Sequence, residues 1–126
     1  MSREGTVSVS ESVDVPSLEE GIRFYAAAFG FEVTGRPVPE VAVLKAVNTT
    51  LCLLEKKAGT RRSPRAADVR RYDRHWTPVH LDLHVGDLDA ALARALAVGA
   101  NQEQVFRDAE HGSAAFCSGP FCLIQR

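Results

Sequence analysis

Apolar and polar residues alternate along two stretches of this chain, from Ser8 to Val15 and from His80 to Val85. A period of two is that of a strand with one covered face. Directly after each stretch the spacing changes. Ile22, Tyr25, Ala26 and Phe29 recur at three and four, as do Leu88, Leu92, Ala95 and Leu96, so each segment predicts a helix with one apolar face. Ser17 and Asp87 stand at the N-cap positions, and acidic first turns follow them (Glu19 and Glu20; Asp89). Gly30 and Gly99 are the stops. Short β-type runs come next, at 31–35, 40–46 and 49–55 in the first half and at 103–108, 112–117 and 120–125 in the second.

The two halves share one grammar at an offset of 70 residues, which lays Val15 on Val85, Leu18 on Leu88 and Ala27 on Ala97, with Gly30 on Gly99 after one gap. Each half therefore reads βαβββ. Module one spans 6–55, module two spans 78–126, and residues 56–77 link them. The expected fold is α+β: two modules forming a curved eight-stranded mixed sheet around a shared pocket, helices outside. At 126 residues the chain is one domain. The linker is longer than a tight connection needs, and loops of that length often act as lids.

Composition is ordinary for a globular protein, with 45% apolar and 25% charged residues. No apolar run is long enough to span a bilayer, and the first residues carry no secretory signal, so no membrane role and a cytoplasmic location are expected. Cys52, Cys117 and Cys122 lack the spacing of a disulfide framework and read as free thiols. The net charge of −1 conceals an asymmetry. Eight of the fifteen basic residues fall between 56 and 75, against two acids, leaving seven bases and fourteen acids elsewhere. These bases follow no helical or strand period, so the segment reads as a solvated connection and not as a nucleic-acid surface.

Chemistry concentrates on the polar side of the alternating stretches. His80, Asp82 and His84 share one face of the second, opposite Leu81, Leu83 and Val85. The offset pairs them with Ser10, Ser12 and Asp14, and carries Cys52 onto Cys122. Such a face meets either water or a cavity. Two of them related by the repeat look toward each other across a cavity. His80, Asp82 and His84 are the candidate acid–base groups, although no nucleophile–base–orienter set accompanies them. His80 bonded to Asp82 in a purely structural role is the other reading. Trp76, at the end of the basic linker, is a candidate for stacking on a planar ligand.

The strings PSLEEGIRFYAAAFGFEV, HLDLHVGDLDAALARALAVGA and GPFCLIQ resemble the vicinal-oxygen-chelate superfamily, which includes glyoxalase I, extradiol dioxygenases, fosfomycin-resistance enzymes and bleomycin-resistance proteins. The second string is similar to glyoxalase-like domains of actinobacteria. Members often pair modules between chains, which implies a homodimer. The superfamily's enzymes place a metal ligand in the first and last strand of each half, His or Gln and then Glu. Those places are Ser10, Cys52, His80 and Cys122 here, and only His80 keeps the usual chemistry. A site for Mg²⁺, Mn²⁺ or Fe²⁺ is not expected from this set. Cys52, His80 and Cys122 are a soft set suited to Zn²⁺. The resemblance thus implies a metal-free binding protein for an antibiotic-like or aromatic small molecule, without a cofactor. Its expected ligand contacts are Ser10, Ser12, Asp14, Cys52, Trp76, His80, Asp82 and Cys122. The alternative is a metal-dependent lyase, isomerase or dioxygenase with an unusual ligand set.

Overall fold

A computed structural model describes residues 5–73, 77–108, 110, 112–118 and 121–125 of the chain. Its elements run in order β1 (Glu11–Val15), α1 (Leu18–Phe29), β2 (Glu32–Val38), β3 (Val41–Lys45), β4 (Thr50–Glu55), β5 (Leu81–His84), α2 (Leu88–Ala97), β6 (Asn101–Asp108), β7 (Gly112–Ser118) and β8 (Phe121–Gln125). The βαβββ order holds in both halves, and the eight strands hydrogen-bond as two four-stranded mixed sheets, β1-β4-β3-β2 and β5-β8-β7-β6. The leading strand is parallel to the last in each module, and the other pairings are antiparallel.

The helices start and stop where the caps place them. Ser17 Oγ accepts from the Glu20 N–H at 3.3 Å and Asp87 Oδ1 from the Ala90 N–H at 3.1 Å. Gly30 ends α1 at φ 70°, in the left-handed region, and donates to Ala26 O. A second cap recurs at the same offset of 70 residues. Glu55 Oε1 accepts from the Leu18 N–H at 2.9 Å, and Gln125 Oε1 from the Leu88 N–H at 2.6 Å. The last residue of each closing strand thus satisfies an orphan donor of its own module's helix.

The buried faces differ slightly from the expected ones. In α1, Leu18, Tyr25 and Ala28 are buried while Ala26 is exposed; in α2, Ala91 joins Leu88, Leu92 and Ala95, and Leu96 is left 41% exposed. A run of alanines does not distinguish its own inward position, so packing decides it. Two apolar cores result, one around Leu44, Leu51 and Leu53, the other around Leu88, Ala115 and Leu123. Phe24, Phe29 and Leu81 pack against both cores, and Arg94 Nε donates to Ala28 O at 3.0 Å across the helix pair. These contacts join the modules through their helices.

Strand bounds depart from expectation for identifiable reasons. β2 runs on to Val38 through Pro37, which an edge strand tolerates because the missing donor faces no partner. β1 begins at Glu11 although the alternation begins at Ser8. Its ladder partner β4 starts at Thr50, so residues 8–10 lie past the end of the ladder.

Candidate functional site

The ladders set the faces. Ser12 pairs with Cys52 and Asp14 with Leu54 in the first sheet, while Asp82 pairs with Cys122 and His84 with Ile124 in the second. Directly paired residues share a face, so the register sets Ser12 beside Cys52 and Asp82 beside Cys122, whereas the family's ligand places set Ser10 with Cys52 and His80 with Cys122. Val13 and Val15, and Leu81 and Leu83, turn to the cores. Ser12, Asp14, Asp82 and His84 are exposed, and Cys52 is half-buried. Cys122 stands in β8 opposite Asp82, its side chain outside the described residues, and Trp76 also lies outside them.

His80 precedes β5, and its Nε2 lies 3.1 Å from Asp82 Oδ1, both side chains about half exposed at 53% and 45%. Ser10 stands apart from the strand ladder. It helps line an open depression of about 460 Å³ with Ser8, Lys45, Asn48, Thr49 and Thr50. At its side Thr49 Oγ1 donates to Glu11 Oε2. A smaller depression of about 270 Å³ adjoins it beside Phe29, Phe31 and Lys45. Ser12, Asp14, Cys52 and Asp82, on the sheet faces, and His80, just before β5, line neither of the two.

The linker supplies residues that local pattern did not mark. Arg70 Nε donates to Asp14 Oδ2 at 2.8 Å, an ion pair whose guanidinium side is only 17% exposed. The same guanidinium donates to Thr60 Oγ1 at 3.2 Å and to Arg61 O at 2.9 Å. Backbone bonds Gly59 N–H to Arg70 O (2.9 Å) and Arg70 N–H to Thr60 O (2.8 Å) close the neck of the loop. Tyr72 adds a strap through its hydroxyl, which donates to Lys56 O at 2.6 Å. Burial, and then the Asp14 carboxylate, raise the Tyr72 pKa, while Arg70 opposes them. The linker is therefore pinned to the polar face of β1 at Asp14. No local signal announces a contact between residues 56 positions apart.

A hard divalent ion such as Mg²⁺ or Mn²⁺ does not fit the donors that the family resemblance singles out. Ser10 and Cys52 offer a hydroxyl and a thiol where hard cations need imidazole and carboxylate, and His80 directs Nε2 at Asp82. Among the described residues, no three His, Cys, Asp or Glu side chains are grouped to hold a metal. Cys117 belongs to the second core, where burial and then Glu103 raise its thiol pKa, so it behaves as an inert small hydrophobe.

Comparison with known proteins adds a family and a set of folds. The model of the glyoxalase-like domain matches residues 11–124. No curated protein matches the chain. A hypothetical protein from S. aureus, SA1046, is similar in fold at a TM-score of 0.70, with 17% identity over 96% of this chain and 98% of its own. The fosfomycin resistance protein FosX from Listeria monocytogenes gives 0.70 at 12% identity, covering 96% of this chain and 93% of its own. A lactoylglutathione lyase from Agrobacterium tumefaciens gives 0.62 at 13% identity, covering 94% and 92%. At such identities the likeness speaks for the fold alone.

Proposed function

The chain belongs to the glyoxalase-like domain family of the vicinal-oxygen-chelate superfamily, and from that membership we propose that it is a metal-free small-molecule-binding protein. The ligand lies across the polar faces of the leading strands. It meets Ser10, Ser12, Asp14 and Cys52 of the first module and His80, Asp82 and Cys122 of the second, with Trp76 as the stacking ring. One observation carries the reading: in both modules the polar residues of the leading strand turn away from the core, and on one of them the linker is docked through Asp14 and Arg70. A polar face with an ordered wall beside it suits recognition by a few placed hydrogen-bonding groups.

An antibiotic-like or aromatic ligand fits the resemblance to resistance proteins, and the role is then sequestration. Cytoplasm is the compartment that keeps Cys52 and Cys117 as free thiols. Neither helix is long and apolar enough to cross a membrane. The working unit in this reading is a homodimer, so light scattering returns twice the chain mass; a monomer at micromolar concentration contradicts that part.

The alternative is a metal-dependent lyase, isomerase or dioxygenase. The His80–Asp82 pair favours it, because a carboxylate on one imidazole nitrogen is the usual device for orienting a metal-binding histidine. There Cys52, His80 and Cys122 hold Zn²⁺, and His80, Asp82 and His84 are the groups available to move protons. Elemental analysis of protein purified without chelator separates the two. The binding reading expects no stoichiometric transition metal before or after incubation with zinc, manganese or iron. About one equivalent per chain, lost in His80→Ala, overturns it.

A further inference from the structure

Residues 56–71 carry seven cations, Lys56, Lys57, Arg61, Arg62, Arg65, Arg70 and Arg71, and one carboxylate, Asp68. Arg70 is paired with Asp14 and Arg71 with Asp73. The other five are exposed, and among the described residues none of them has a carboxylate within ion-pair distance. A free chain of this charge spreads in water by self-repulsion. This one is instead closed at its neck by the backbone bonds between Gly59, Thr60 and Arg70, and cross-braced by the Arg70 guanidinium on Thr60 Oγ1 and Arg61 O. Arg61 also donates to Ala66 O at 3.3 Å, inside the loop.

We propose that the ligand of the polar face is a small anion, bearing a phosphate, phosphonate, sulfonate or carboxylate group, and that Arg61, Arg62 and Arg65 form the rim that recognises it. Arg70 is the positioning residue that fixes this rim beside β1. The inference rests on the reading that the polar face binds a small molecule, and it names the charge of that molecule.

Three physical points support it. Guanidinium forks match the geometry of oxyanions and bind them bidentately, and a loop already closed loses less freedom on binding. The charge asymmetry aims an anion at this end of the molecule, because outside residues 56–75 there are seven bases against fourteen acids. The same asymmetry disfavours a long polyanion, whose further phosphates meet a body holding twice as many acids as bases.

The test is an amide chemical-shift titration of the full chain with phenylphosphonate, with phenol as the neutral comparison and a short thymidine oligonucleotide as the polyanion. The expected result is saturable shifts at residues 59–71 together with Ser12 to Asp14, with phenol far weaker. Arg62→Glu/Arg65→Glu then weakens phenylphosphonate by about tenfold with the remaining spectrum unchanged. In Arg70→Ala the amides of 59–71 lose their dispersion and affinity falls, although the rim arginines are intact. Phenol shifting the face as strongly as the phosphonate, unaffected by Arg62→Glu/Arg65→Glu, overturns the anion inference and leaves the binding reading standing. Shifts confined to the loop, with none at Ser12 to Asp14, overturn both. An oligonucleotide bound far more tightly than phenylphosphonate overturns the inference in favour of nucleic acid.

Discussion

Burial does its clearest electrostatic work on Tyr25, whose ring lies against Phe31 at 5.9 Å and whose pKa is pushed up from 10.0 to about 12. Below the ordinary tyrosine pKa the phenol is neutral in folded and unfolded chains alike, and its stabilising effect is fully present. Between pH 10 and pH 12 the unfolded chain ionises while the folded one resists, so stability falls as pH rises. A shift of that size corresponds to about 2–3 kcal/mol lost by pH 12. Denaturant melts of wild type and Tyr25→Phe across that range check the sign: the substitution flattens the slope, and parallel slopes contradict it. At this scale the placement of the candidate residues was partly legible. The offset of 70 residues put Ser12 with Asp82 and Cys52 with Cys122, and the ladders set Ser12 beside Cys52 and Asp82 beside Cys122. The engagement of Asp14 by Arg70 was not legible, because an ion pair formed through a loop closure leaves no periodic trace.

Elements were read well where a local rule governs them, and less well where a neighbour does. Caps and glycine stops placed both helices. The length of β1 was misjudged because alternation extends back beyond the point where its parallel partner β4 begins, and β2 outran its expected end because its pairing with β3 runs on to Val38 and Val41. The paired strand-to-helix caps also escaped notice, since Glu55 and Gln125 look like ordinary polar strand ends. Each closes an otherwise unsatisfied donor on its helix. Glu55→Ala and Gln125→Ala therefore each cost about 1 kcal/mol in denaturant unfolding, on the scale of other N-terminal caps. Equal stability of both variants with wild type contradicts the assignment.

At the scale of the molecule, two modules with separate sheets share a helix-lined seam through Phe24, Phe29 and Leu81. That arrangement turns the polar residues of both leading strands away from the cores, with the basic loop docked on one of these faces at Asp14. The repeat made this architecture readable from the sequence, because each module has to bury the same helix face on its own sheet. The route of the linker followed from no pattern, since it depends on where Asp14 comes to lie in the folded chain. In the proposed function these faces bind a small molecule without metal. The measurement that meets it most directly is a saturation-transfer NMR screen of metal-stripped protein against aromatic and anionic compounds, repeated on Ser12→Trp and His84→Trp. Hits are expected in the metal-free protein, and they weaken at least tenfold in both variants because a bulky ring fills part of the binding face. Hits that arise only after a divalent ion is restored, or that survive both substitutions, contradict the proposed function.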